Sequence, residues 1–174
     1  QLSKLEMEDV DGVIISSVVP PLDSKLTEMS WRYFRRDAMF VNETTDTGLA
    51  IRYDNPCEVG ADRIVNGAAA FHKYGGPCIV VDLGTAITFD CISAKAEYLG
   101  GVICPGIGIS MEALFARAAR LPKVDFRAPN KLIGTTNVGS MQSGLFYGAV
   151  ATIDGILDRL IQEMGAGTKL VATG

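Results

Sequence analysis

Apolar residues recur along this chain with two periods, and proline or glycine stands where one period gives way to the other. Val13–Val19 is β-branched and apolar and predicts a buried strand that Pro20-Pro21 ends. Leu22, Leu26, Met29 and Tyr33 then fall at helical spacing, predicting a helix over Leu22–Phe34, and Ala38–Val41 predicts a short strand. Asn42–Asn55 is polar and reads as a loop ending in Tyr53-Asp54-Asn55-Pro56, where the proline biases Asn55 away from helix. Ile64, Ala68 and Phe71 mark one face of a helix over Ala61–Tyr74, which Gly75-Gly76-Pro77 stops.

Three strands are expected next, Cys78–Leu83, Ala86–Ile92 and Tyr98–Ile103, turning at Gly84-Thr85 and at Ser93–Ala96. A helix over Ile107–Leu121 follows, then an irregular stretch at Pro122–Lys131. Thr136–Met164 reads as a long helix interrupted near Gly144 and Gly148, and Lys169–Thr173 as a closing strand. Hairpin-connected strands followed by alternating helices and strands predict an α/β fold, a mixed sheet covered by helices. The Gly75–Pro77 punctuation divides the chain into 1–76 and 77–174. The first part has the element order of the tail of a unit like the second. No internal sequence repeat is visible, so this duplication rests on element order alone. The chain starts without Met and stops at Ala172-Thr173-Gly174 directly after a strand-like run, so both ends are expected to continue in a longer polypeptide.

Composition narrows the classes of function. With 174 residues, 48% of them hydrophobic, the chain can bury one substantial core or two small ones. A net charge of −4 with scattered Lys and Arg argues against nucleic acid and against an anionic membrane surface as partners. The longest uncharged window, Leu132–Ile153, carries Thr135, Thr136, Asn137, Ser140, Gln142 and Ser143 and is too polar to span a bilayer. Gln1–Glu8 is charged and amphipathic, which does not fit a signal peptide. Cys57, Cys78, Cys91 and Cys104 are too widely spaced for a metal or redox motif and read as reduced, mostly core residues of a cytoplasmic protein. With His72 as the single histidine, a zinc site or a Ser-His-Asp triad is not supported.

Two glycine-containing loops suggest anion binding. In Asp82-Leu83-Gly84-Thr85, Gly84 can take positive φ and let a phosphate reach backbone N–H groups, while Thr85 offers a hydroxyl and Asp82 a cation ligand. An ordinary hairpin turn accounts for the same four residues. Gly100-Gly101 leads through Cys104-Pro105-Gly106 into a helix whose N-terminal N–H groups favour an anion, although glycines also relieve crowding between strands. Gly60-Ala61-Asp62-Arg63 opens the helix before the boundary. Together with Tyr53 it assembles a carboxylate, a guanidinium and a phenol suited to a small hydroxylated acid, with Asp62 taking the proton of the attacking hydroxyl. A favourable first-turn acid and a surface ion pair are the plainer accounts.

Taken together, Tyr53-x-x-Pro56 with Gly60-Ala61-Asp62-Arg63, Asp82-Leu83-Gly84-Thr85-Ala86, Gly100-Gly101 with Pro105-Gly106, Met141-Gln142-Ser143-Gly144 and Ala172-Thr173-Gly174 resemble the type III pantothenate kinases. These share a superfamily with acetate kinase, sugar kinases, Hsp70-type ATPases and actin. The resemblance implies a duplicated ribonuclease-H-like fold, with 1–76 the C-terminal part of the first such domain and 77–174 most of the second. It also implies a homodimer and ATP-dependent phosphorylation of pantothenate, the first step of coenzyme A synthesis, with Mg²⁺ and K⁺ or NH₄⁺ as cofactors. By carry-over, Asp62 is the base, and Tyr53, Gly60, Ala61, Asp62 and Arg63 contact pantothenate. Asp82 binds the monovalent cation, and Gly84, Thr85 and Gly106 contact ATP. The family's Thr before the Met-Gln-Ser-Gly helix, which reaches pantothenate across the dimer, aligns with Asn137, and Thr136 precedes it. The family's opening Asp-x-Gly-Asn-Thr loop is not in the chain, and the adenosine-side motif breaks off at Gly174. A non-enzymatic accessory factor on the same fold, or a superfamily phosphotransferase with another small hydroxylated substrate, remain the alternatives.

Overall fold

The computed structural model describes residues 7–118 and 120–174. The charged opening segment, read above as no signal peptide, lies mostly outside them, at 1–6. Two parallel strands, β1 (Val13–Ile15) and β2 (Ala38–Phe40), flank α1 (Pro20–Phe34). The first strand ends at Ile15, short of the expected Val19, because it has a single neighbour with three paired positions. Beyond it Val19 N–H donates to Ser17 Oγ, and that hydroxyl donates to Asp23 Oδ1 at 2.5 Å, which draws the chain into the helix. Pro20 and Pro21 open α1 rather than merely ending a strand, since a first-turn N–H has no intrahelical partner to lose.

The main sheet has five strands in the order β3-β6-β5-β4-β7. Its centre is the antiparallel meander β4 (Cys78–Leu83), β5 (Ala86–Ile92) and β6 (Glu97–Pro105), and β7 (Lys169–Thr173) runs parallel to β4. The short strand β3 (Ala50–Ile51) lies in the region expected to be loop and pairs with Glu97 and Tyr98 of β6. Two residues are too few to show a period, so only the neighbouring strand makes this segment extended. Through β3 the sheet draws on residues on both sides of Gly75–Pro77.

Pleating sends alternate side chains to opposite faces, and here both faces are covered. Cys78, Val80 and Ile92 meet Ala70 and Phe71 of α2 (Ala61–Tyr74) on one face. Ile79, Val81, Ile87, Phe89 and Cys91 meet Ile153, Ile156, Leu157 and Leu160 of α4 (Asn137–Met164) on the other. That is why the sequence of β4 reads as one apolar run. All four cysteines are free; Cys78 and Cys91 are core, and burial pushes the Cys91 thiol up to about 11.

Two helix expectations need correction. The helix α3 (Ile107–Arg117) stops before Leu121, because Ala118 turns extended and Leu121 packs beside Val124 and Met141 instead. The 28 residues of α4 run without a break through Gly144 and Gly148, since glycine lowers helix stability without removing a hydrogen bond. No helix among the described residues is long and apolar enough to cross a membrane.

These contacts separate structural glycines from tolerant ones. A Cβ on Gly101 would stand 1.8 Å from the Phe89 carbonyl oxygen across β5–β6, whereas one on Gly148 would meet nothing within 4 Å. Gly101→Ala is expected to destabilise the fold by about 1–3 kcal/mol or more. Gly148→Ala should stabilise it by about 0.5–1 kcal/mol. Urea unfolding followed by circular dichroism reads both, and equal shifts of the two midpoints would contradict the packing described here.

Candidate functional site

The strand ends, one turn and two helix starts converge on a single rim of the main sheet. Asp82 stands near the end of β4 opposite Thr173 of β7, and Gly174 runs on against the backbone of Leu83. The β4–β5 turn carries Gly84 and Thr85, both exposed. Gly84 does not adopt the positive φ expected of it; its N–H donates to the Ala86 carbonyl at 3.1 Å. What the turn needs instead is space at the neighbouring loop. Gly106, the N-cap of α3, donates its N–H to the Thr85 carbonyl at 3.1 Å, and a Cβ there would lie 2.2 Å from that oxygen. The exposed turn is thereby laid flat against a helix start whose first N–H groups lack intrahelical partners, an arrangement suited to a phosphate.

A second group of residues comes from α2. Gly60 is its N-cap, and Asp62, exposed in the first turn, folds back so that Oδ1 accepts the Arg63 N–H at 2.8 Å. Asn66 follows one helical turn later on the same face, and its side-chain amide donates to Asp82 Oδ2 at 2.8 Å. This bond joins the helix that carries Asp62 to the strand that carries Asp82.

Arg63 turns inward, not to the surface. It is 8% exposed, and Nε donates to Oδ1 of Asp90, itself fully buried, at 2.7 Å. The Tyr98 hydroxyl donates to the same oxygen at 2.6 Å, and Thr88 Oγ1 donates to Oδ2 at 3.2 Å. The guanidinium carbon lies 5.8 Å from the centroid of the Tyr98 ring, and Nη2 is buried with no partner among the described residues. Burial alone would lower the Arg63 pKa, but the Asp90 carboxylate outweighs it and the guanidinium is held above its ordinary value. Burial pushes Asp90 up, against the Tyr98 hydroxyl and the Arg63 charge that pull it down, and burial with the bond to Asp90 raises Tyr98.

Tyr53 belongs to this group. Its ring packs on Gly100, whose φ of +113° and missing side chain admit it, and its centroid is 6.4 Å from that of Tyr98. Ala61 is buried in the same apolar cluster. Tyr53, Gly60, Ala61, Asp62 and Arg63 therefore sit together at the start of α2, and Asp82, Gly84, Thr85 and Gly106 at the rim beside it. Thr136 and Asn137 stand instead at the start of α4. Thr136 caps α4, its Oγ1 accepting the Gly139 N–H at 3.1 Å. Asn137 borders a cavity of about 940 Å³ with Ile87, Pro105, Leu114 and Met141, on the α4 side of the sheet. That cavity is apolar and holds none of the carboxylates above.

Asn66, Thr88, Asp90 and Tyr98 were not expected from the sequence. Only Asp90 carried a readable signal, a charge between Phe89 and Cys91 in a strand otherwise destined for the core.

The family model for type III pantothenate kinase matches residues 1–159. Proteins described as type III pantothenate kinase from Solibacter usitatus and Koribacter versatilis are 65% and 58% identical over 98% and 99% of this chain, covering 65% and 63% of their own lengths. One from Myxococcus xanthus is 56% identical over 95% of the chain and 64% of its own length. The chain thus spans a little under two thirds of these relatives. A solved structure from Campylobacter jejuni, described as a conserved Baf family transcriptional activator, shares the fold with a TM-score of 0.54 at 23% identity, over 86% of this chain and 66% of that one.

The buried and exposed ion pairs predict different costs. Arg63→Ala strands Asp90 without its countercharge and is expected to cost about 3–5 kcal/mol. Arg52 is 61% exposed beside Glu97, 3.0 Å away, and Arg52→Ala should cost under about 1 kcal/mol. Chemical denaturation of both variants measures the difference, and comparable losses would refute the burial argument.

Proposed function

The chain belongs to the type III pantothenate kinase family, and from that premise we propose that the whole protein phosphorylates pantothenate with ATP, opening coenzyme A synthesis in the cytoplasm. One observation supports this most: the Asn66–Asp82 bond, which fixes Asp62 and the Gly84-Thr85 turn on one side of α2. In the proposed reaction the acceptor hydroxyl oxygen forms a bond to the γ-phosphorus while the bond from that phosphorus to the β,γ-bridging oxygen breaks. The hydroxyl proton passes to the Asp62 carboxylate, and ADP leaves. Gly84, Thr85 and Gly106 hold the phosphates with backbone N–H groups and the Thr85 hydroxyl. Tyr53, Gly60, Ala61 and Arg63 receive the acid.

Asp82 is the proposed ligand of a K⁺ or NH₄⁺ ion. It fits that role because Asn66 engages Oδ2 alone and the carboxylate is half-buried at the strand end. Mg²⁺ would come with the nucleotide and neutralise its charge. The proposed architecture is two ribonuclease-H-like units, 1–76 holding the end of the first and 77–174 most of the second. The meander β4–β5–β6 with β7 parallel to β4 supports it for the second unit. A homodimer is part of the proposal: Thr136 and Asn137, at the start of α4 on the other face of the sheet, are read as reaching the substrate of a second copy.

Mass-spectrometric detection of phosphopantothenate, in an assay with a panel of small hydroxy acids and sugars, tests the substrate. A faster reaction with a sugar or short-chain acid would move the assignment to another phosphotransferase, and binding without turnover would favour an accessory factor. In the intact protein Asp62→Asn should keep ATP binding and lose ~10²–10⁴-fold in kcat; a loss under about threefold would overturn its role as base. Replacing K⁺ by Na⁺ should depress turnover in the wild type and leave Asp82→Asn indifferent to the change, as read by initial rates at constant ionic strength. An Asp82→Asn variant that keeps the K⁺ response would remove Asp82 from the cation site.

A further inference from the structure

The Arg63 guanidinium is gripped in an unusual way. A carboxylate facing an arginine normally takes two parallel hydrogen bonds from it. Asp90 takes one, at Nε, because Oδ1 is shared with the Tyr98 hydroxyl and Oδ2 accepts from Thr88. The three donors come from three elements, α2, β5 and β6, so the carboxylate is held in place and with it the Nε edge of the guanidinium. Its terminal Nη2 is left buried without a hydrogen-bond partner among the described residues, while the Tyr53 hydroxyl, from a ring packed on the side-chain-free Gly100, also bears on the guanidinium. A buried charged donor without an acceptor is costly, and the group that relieves it is an anion of matching planar shape.

We propose that Asp90, with Tyr98 and Thr88, is a positioning group for the acceptor substrate, holding Arg63 by Nε so that its free terminus meets the carboxylate of the hydroxy acid. This rests on reading Arg63 as a substrate contact. The clamp acts only through Arg63 and touches neither substrate nor nucleotide. It therefore governs how well the acid is recognised, while Asp62 and the phosphate turn govern the chemistry.

The test uses the intact protein with Tyr98→Phe, Asp90→Asn, Arg63→Lys and the Tyr98→Phe/Arg63→Lys double variant. Each is assayed with pantothenate and with the neutral analogue whose carboxylate is replaced by a hydroxymethyl group, and melting temperatures are recorded. Tyr98→Phe and Asp90→Asn are expected to raise KM for pantothenate ~10–100-fold, the size of a lost charge-assisted hydrogen bond, with kcat and KM for ATP changed less than about threefold. Preference for the acid over the neutral analogue should shrink by the same factor, and the double variant should be little worse than Arg63→Lys alone. If Arg63→Lys erases that preference while Tyr98→Phe and Asp90→Asn keep it and lose only melting temperature, the clamp is overturned and the reading of Arg63 stands. If Arg63→Lys leaves the preference intact, the reading of Arg63 fails and the clamp with it. Tyr98→Phe, which keeps the ion pair, decides the matter where Asp90→Asn does not fold.

Discussion

The ion pair between Arg63 and Asp90 lies where α2 meets the main sheet, and the candidate groups that α2 carries are placed around it. Taking both charges out of water costs several kcal/mol per ion, which their attraction repays only with good geometry and further hydrogen bonds. Tyr98 and Thr88 supply those bonds here. Replacing such a pair by apolar residues of the same volume is often neutral or stabilising, so the charges are read here as fixing position. They set the rotation of α2 about its own axis. Asp62 then emerges at the exposed end, and Asn66, about 6 Å further along the axis, falls beside Asp82.

The sheet makes this pairing available through its pleat and one irregularity. Asp90 points to the α2 face because Phe89 and Cys91, its neighbours, point to the α4 face. The register between β5 and β6 shifts between Cys91 and Ile92, so that Cys91 faces Gly100 while Ile92 faces Tyr98. The skipped residue, Leu99, is exposed, and the shift brings the Tyr98 hydroxyl to Asp90. Without the bulge, side-chain alternation along β6 would have carried on unbroken past Gly100.

The two faces of the sheet divide the work. The α2 face carries Arg63, Asp90 and the rings of Tyr53 and Tyr98, and the rim above it carries the turn and the helix start. The α4 face carries an apolar core and the cavity beside Asn137. A single copy therefore holds the proposed base, acid-binding and phosphate-binding groups together, with Thr136 and Asn137 at the start of α4 on the other face.

The helix α2 and the strands β4, β5 and β7 were legible in the sequence to the residue, because each is a periodic or continuous apolar run closed by glycine, proline or a turn. The two loops and the Gly60–Arg63 segment were legible as well, since a glycine beside an acid or hydroxyl is a local signal. The chain itself thus determined most elements and the residue types of the candidate chemistry. It did not determine that Arg63 turns inward, that Asp90 receives it, that Asn66 ties α2 to Asp82, or that Ala50–Ile51 becomes a strand. Those outcomes depend on partners 47 residues away, Glu97 and Tyr98 for β3, or 27 and 16 residues away for Arg63 and Asn66. Periodicity records which face of an element is buried, whereas the partner that a buried charge finds is decided only when the faces meet.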